Sequence, residues 1–297
     1  MSQRFRTTSL IALPLALMAL APTAHALSMN ATANWTVGVT DPAGSNSASA
    51  SSGSVDIGGG AVDSTNNANS VFYHTYGNDS GNFGSRTSGT GNFDITGQYS
   101  FHENYVASGG ATTFNFHIVP GELGVSNLAL TGLEQLLATY TLDIRLDGIS
   151  VWNSNAQLNQ TSGGTAFTQG GASIGGALLS NHYSWSDYFG NVALGTFAAG
   201  HNFTIDYDLT THAAGNLTCT ASTSNNTPPK DPTTANSTPN ANPCGGAIAR
   251  IGDPFDVTGS GSNDFVVKGA SAVPEPSTVA LLGLGLVGFG IARRRKA

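Results

Sequence analysis

Gly171, Ala172, Ser173, Ile174 and Gly175 spell G-x-S-x-G, the pattern that lifts a serine nucleophile onto a sharp turn, and Asp187, His201, Asp206 and His212 follow it. Acyl transfer on that pattern needs a buried strand before the serine and a helix after it. Ser173 lies instead in a glycine-rich patch from Gly163 to Gly176. Such matches arise there by chance, so the pentapeptide assigns no catalytic residue and a secreted hydrolase is the last of the readings carried forward. Asp206 and Asp208 are two apart, which on a strand puts both carboxylates on one face about 7 Å from each other. That separation suits a calcium ion or a glycosidase pair, and it equally suits a solvated face shared with Asn202 and Thr204. The two are weak calcium candidates; no other metal or cofactor is indicated.

Asp143 and Asp147 flank Arg145 on one face of a two-residue alternation, the pattern of a small ion-pair ladder. His74, His102, His117, His182, His201 and His212 show no metalloprotease spacing, since His102-Glu103 lacks a second histidine four positions on. They are expected as scattered surface residues. Phe72, Tyr73 and Tyr76, and then Tyr183, Trp185, Tyr188 and Phe189, lie among Gly, Asn and Ser. Such a mixture can stack on sugar rings, and it can as well fill the core of a sandwich.

The elements that must position these groups are strands. Trp35, Val37 and Val39, then Phe114, Phe116 and Ile118, then Phe203, Ile205, Tyr207 and Leu209, each alternate with polar residues. Period two over such lengths predicts half-buried strands. Leu142, Ile144 and Leu146 alternate with Asp143 and Arg145, and Asp147-Gly148 supplies hairpin-turn chemistry before Ile149, Val151 and Trp152. Thr131 and Glu134 match a capping box, with Leu133, Leu136, Leu137 and Tyr140 at helical spacing, which predicts one short helix. The fold expected is all-β: an antiparallel β-sandwich or jelly roll with that one helix. Residues 41–70, rich in Ser, Gly and Asn, and 221–243, rich in Thr, Asn and Pro, read as low-complexity loops. Cys219 and Cys244 bracket the second and are the only cysteines. In an exported chain they should pair, and closing this loop stabilises by about 3 to 4 kcal/mol in the chain-entropy model.

Both ends carry addresses. Arg4 and Arg6, an apolar run from Leu10 to Ala21, and the A-x-A of Ala24, His25 and Ala26 predict a signal peptide over 1–26 and a mature start at Leu27. At the other end Val273, Pro274, Glu275 and Pro276 form an extended segment. It leads into an apolar run from Val279 to Ala292 closed by Arg293, Arg294, Arg295 and Lys296. The run would make a helix of about 21 Å, short of the roughly 30 Å hydrocarbon core, and its four terminal cations hold that end on the cytoplasmic side. Gly283, Gly285 and Gly288 match G-x-G-x-x-G only inside this run, without the strand and helix that a dinucleotide site needs.

The segment Pro274 to Pro276, the glycines Gly283, Gly285, Gly288 and Gly290 and the terminal basic cluster together resemble the PEP-CTERM protein-sorting signal of Gram-negative bacteria. The resemblance covers 273–297 and implies an exosortase-like processing enzyme as partner, an inner-membrane intermediate, and delivery to the cell surface or its exopolysaccharide matrix. The same tail is also labelled an ice-binding protein C-terminal domain. Ice binding needs a regular threonine array, and the only T-x-T pairs in the sequence, Thr139/Thr141 and Thr218/Thr220, are isolated.

Between the two addresses the exported domain, 27–272, is strongly acidic. From Leu27 to Pro274 the cations Arg86, Arg145, Lys230, Arg250 and Lys268 face 17 carboxylates, a net charge of −12. Nothing offsets repulsion from phosphates, so a nucleic-acid partner is excluded. Two function classes remain from the sequence: a non-catalytic surface or matrix protein displayed among exopolysaccharide, and a calcium-assisted carbohydrate-binding module.

Overall fold

Alternation of apolar and polar side chains, carried on strands of up to 16 residues, builds the molecule as stacked antiparallel sheets. The computed structural model describes residues 27–39, 41, 43–79, 81–126, 129–219, 244–252 and 265–272. The large sheet runs β11 (Gly164–Gly171), β10 (Ile149–Thr161), β9 (Gln135–Leu146), β15 (Asn202–Asn216), β6 (Asn92–Ala107), β1 (Ser28–Val37) and β2 (Gly44–Ala50), with β18 (Ala270–Ala272) paired to β6. The second sheet runs β12 (Ala177–Leu179), β13 (His182–Trp185), β8 (Gly121–Val125), β16 (Gly246–Gly252), β5 (Phe83–Thr90), β4 (Ser70–Asn78) and β3 (Ser54–Val62). A three-stranded sheet of β14 (Tyr188–Phe197), β7 (Gly110–Ile118) and β17 (Phe265–Lys268) completes the described set. This is the antiparallel sandwich that the alternating strands predict.

The core lies between the two larger sheets. Leu136, Ala138, Tyr140, Leu142 and Ile144 of β9 are buried on alternate positions, as are Phe203, Ile205, Tyr207, Leu209 and Ala213 of β15. Aromatic rings bridge the layers: Trp35 stacks on Tyr73 with centroids 4.9 Å apart, Tyr140 meets Trp185 at 5.1 Å, and Phe83 meets Tyr207 at 4.8 Å. A chain of buried hydroxyls also crosses the interior. Ser85 Oγ of β5 lies 3.1 Å from Thr75 Oγ1 of β4 and 2.7 Å from Thr211 Oγ1 of β15, so polar groups facing the core satisfy one another. The third sheet packs Phe116 and Tyr188 against Trp152 of β10, at 4.8 and 6.1 Å.

The β9–β10 hairpin forms at Asp147-Gly148, whose φ angles of 49° and 78° are the left-handed pair a type I′ turn requires. Ile149 faces Leu146, and a bulge between Ser150 and Trp152 brings Trp152 opposite Ile144.

Three expectations are corrected. No helix forms at Thr131 to Tyr140. The capping-box bonds are present, with the Thr131 amide and hydroxyl donating to Glu134 Oε2 at 2.9 and 3.0 Å, but they close a turn at Gly132 and Leu133. From Gln135 the chain extends, because Leu136, Ala138 and Tyr140 also satisfy period two, and pairing to both β10 and β15 outweighs a short helix with Leu133 left in solvent. The tract 41–70 is not a loop: its alternating Ser and Ala form β2, and β3 follows at the end of the second sheet. Val39, expected within the first strand, lies past its end and is exposed. The expected loop 221–243, the signal segment and the sorting tail lie outside the described residues.

Candidate functional site: the outer face of the large sheet

Every second residue of the large sheet points away from the core, and in this sequence those residues are mostly Ser, Thr, Asn and Gln. Asn30, Thr32 and Asn34 alternate with buried Met29, Ala31 and Ala33 on β1. Strand register sets such residues in rows. Ser47, Thr32, Gln98, Thr210, Thr141 and Asn155 stand side by side across six strands. Ser45, Asn34, Thr96, His212, Thr139, Gln157 and Thr168 form the next row across seven. Neighbours within a row are about 4.8 Å apart and rows are about 7 Å apart. The result is a grid of hydroxyls and amides. A shallow depression of about 270 Å³ opens in it, lined by Asn30, Thr32, Gln98, Ser100, Asp208 and Thr210.

The carboxylates on this face have nitrogen partners. Arg145 pairs with Asp208, and its Nη1 lies 3.7 Å from Asp143, which also accepts a hydrogen bond from Ser150 Oγ at 2.6 Å. The expected ladder exists with a different member: Asp147 turns away to accept from the Thr204 amide at 2.8 Å, and Asp208 takes its place. Asp206 is 2.5 Å from His102 Nδ1. The weak calcium candidates Asp206 and Asp208 therefore share a face, as the spacing predicts, but each already has a nitrogen partner. Among the described residues no three His, Cys, Asp or Glu side chains are grouped to hold a metal ion.

The histidines are ordered rather than scattered. His74 meets Asp56 at 2.7 Å, His117 meets Asp187 at 2.8 Å, His182 meets Glu122 at 2.8 Å and His212 meets Asp94 at 3.2 Å. His201 stacks on Phe197 with centroids 4.9 Å apart. Among the described residues none of these histidines is hydrogen-bonded to the serine of the G-x-S-x-G pattern. Asp187 and Asp206 hold His117 and His102, while Ser173, in the loop after β11, accepts from the Gly175 amide at 3.2 Å and the Gln169 side chain at 3.4 Å.

One carboxyl escaped sequence reasoning. Glu103 sits on the core-facing side of β6 beside Phe101 and Tyr105, where burial pushes its carboxyl above the usual range. The Tyr105 hydroxyl donates to it and opposes the shift, and the charge of Asp79 adds to it. Its place in the alternation, between Phe101 and Tyr105, was the available signal. The aromatic clusters divide: Tyr73, Tyr183 and Trp185 are core, whereas Phe72 lies under the Arg86 guanidinium at 5.4 Å and Phe189 is 74% exposed and stacked on His117 at 4.3 Å.

Beyond this geometry stands the C-terminal tail. Residues 272–296 match the PEP-CTERM protein-sorting motif. No curated protein matches the chain. The sorting motif makes this an exported protein handled by an exosortase-type enzyme, by way of a membrane-anchored intermediate. Val273, Pro274, Glu275, Pro276, Arg293, Arg294 and Arg295 all fall within the match. With the cleavage residues Ala24 and Ala26, they lie outside the described residues.

An exported destination is the setting in which a disulfide persists. Cys219 and Cys244 are joined, 25 positions apart in sequence, with Cα atoms separated by 5.6 Å. The bridge ties the end of the segment after β15 to the start of β16, one strand from each of the two main sheets. It is thus a clamp across the sandwich rather than part of the polar face.

Proposed function

We propose that this is a non-catalytic protein of the cell surface or its extracellular matrix, whose large-sheet face engages exopolysaccharide. The observation that carries this reading is the grid of Ser, Thr, Asn and Gln side chains, up to seven strands wide, whose few carboxylates are held by Arg145, His102 and His212. A polyhydroxyl chain laid on such a grid exchanges water hydrogen bonds for protein ones over many residues without burying an unpaired charge. Phosphate-rich partners are disfavoured by the acidic body. Export through the sorting motif agrees with a destination among such polymers, and the hydrogen bonding of Ser173 to Gly175 and Gln169 rather than to a histidine supports a binding rather than a hydrolytic role.

Two measurements test this. The intact mass and terminal residues of the protein recovered from surface and medium fractions should give a chain starting at Leu27 and ending near Pro274 to Pro276; retention of Arg293 to Lys296 in the inner membrane would contradict surface delivery. Affinity electrophoresis in gels containing the host's own exopolysaccharide should retard the protein, and the triple change Thr32→Val, Gln98→Leu and Thr210→Val should abolish the retardation. Unchanged mobility of the triple variant would remove the face from the proposal.

A further inference from the structure

The large sheet ends on both sides in strands that carry none of the usual protection against pairing. β11 reads GTAFTQGG and has no buried residue, six of its eight being exposed; β2 reads GSNSASA and also has none buried. Neither contains a charge, a proline or a bulge, and on its outward side neither has a strand partner among the described residues. Natural edges are blunted by such devices. The other sheet ends in this protein are blunted: β3 carries Asp56, β12 has only three residues, β14 is broken by a bulge between Ala193 and Gly195, and β17 has four residues including Lys268.

Charge marks the same two places. In a body of net charge −12, the run from Gly148 to Ser186 holds no Asp, Glu, Lys or Arg, and neither does the run from Pro42 to Val55. These two runs contain β11 and β2. They are where two copies of an acidic protein can approach with least repulsion.

We propose that the partner of each edge is the opposite edge of a second copy of this chain, β2 of one molecule adding to β11 of the next. The strands match in length, seven and eight residues, and their outward side chains are small or uncharged, so the two strands themselves set neither bulk nor charge against backbone pairing. Because the two edges terminate one sheet on opposite sides, the contact is heterologous, and repetition adds copies head to tail into an open filament unless the rotation per junction closes a ring. Each junction continues the sheet, and the polar grid becomes a continuous ribbon. This assembly is independent of what the grid binds.

The test places single cysteines on the outward-facing edge positions Ser47 and Thr168 of the full chain, the native cysteines remaining in their disulfide. With a short bismaleimide, a mixture of Ser47→Cys and Thr168→Cys proteins should give crosslinked dimers, either variant alone should give none, and the double variant should give a ladder of trimers and longer species. Separately, Ser47→Asp with Thr168→Asp should raise the concentration at which oligomers appear in sedimentation velocity by about tenfold or more, like charges facing across a strand pair being unfavourable, while its thermal melt at low concentration stays that of the parent. Crosslinks within a single variant population would show two-fold edge pairing and overturn the proposal, as would a parent chain that remains monomeric up to millimolar concentration.

Discussion

Asp63 is the residue whose removal should be felt furthest through the fold. It is 4% exposed, just past the end of β3, and its Oδ1 accepts hydrogen bonds from the Thr65 amide at 2.8 Å, the Thr65 hydroxyl at 2.7 Å and the Asn66 amide at 3.1 Å. Its Oδ2 accepts from Asn69 Nδ2 at 2.8 Å, and a methyl group on Gly38 would fall 1.9 Å from the same oxygen, so the β1–β2 turn lies against it. Asn69 in turn accepts from the Asn92 amide, and Asn66 donates to the Cys219 carbonyl. Burial alone would raise the Asp63 carboxyl, but the bonds from Asn69, Thr65 and Asn66 outweigh it and hold the group at about 2, against 3.8 for a free aspartate. At 1.36 kcal/mol per pH unit, that difference is worth about 2 kcal/mol. A depressed acid stabilises fully above its unfolded value and loses its contribution as pH falls through the folded one; the window is therefore pH 4 to 2. Asp63→Asn should cost about 2 kcal/mol in urea unfolding at pH 7, and the gap to the parent should close across that window. Asp63→Ala, which strands buried donors, should cost about 3 kcal/mol. A gap of the same size at pH 7 and pH 2 would show that the corner is held by shape and not by the ionised carboxylate.

Replacing Cys219 and Cys244 by serine should lower stability by about 3.5 kcal/mol in the same assay, given the 25-residue separation; a loss under about 1 kcal/mol would mean that the unbridged chain is already constrained. Arg145→Ala should cost less than about 1 kcal/mol, because its side chain is 36% exposed, and the cost should vanish in 1 M salt. Millimolar calcium should leave the melting temperature of the parent unchanged while Arg145 occupies Asp208, and raise it in Arg145→Ala; an upward shift in the parent that is lost in Asp206→Asn would favour the calcium-assisted module instead. Burial pushes the Tyr140 phenol up to about 12 and raises Tyr99 and Tyr207 as well, so the stability these neutral phenols contribute is full below pH 10 and is lost as pH rises above it. Absorbance at 295 nm should therefore show them ionising only as the protein unfolds.

Strands with strong two-residue alternation were legible in the sequence because one face meets a core. Phe203 to Leu209 and Phe114 to Ile118 needed only their own spacing, and Asp147-Gly148 needed only its turn chemistry. The segment from Leu133 to Tyr140 misled because its leucines fit both periods; pairing to two neighbours, a non-local term, chose the strand. The tract 41–70 misled for the opposite reason. Ser and Ala carry little hydrophobic signal, yet at an edge little is required, since β2 buries no residue.

The polar face was hidden by a different kind of non-locality. No segment of the sequence contains the row Ser47, Thr32, Gln98, Thr210, Thr141, Asn155; its members lie on six strands and become neighbours only through register. A search for repeated T-x-T along the chain looks in the strand direction, where Thr139 and Thr141 are the only pair in this grid. The repeat that exists runs perpendicular to the strands, with Thr210 beside Thr141 in one row and Asn34 beside Thr96 in the next. The local cue is compositional: the solvent-facing positions of β1, β6, β9, β10 and β15 are filled mostly by Ser, Thr, Asn and Gln where an ordinary soluble sheet would carry Lys and Glu. Long charged side chains would keep a ligand chain at arm's length, whereas short uncharged ones leave the sheet surface within hydrogen-bonding reach. That choice, made over so wide a surface, is what the proposed engagement of a polyhydroxyl chain rests on.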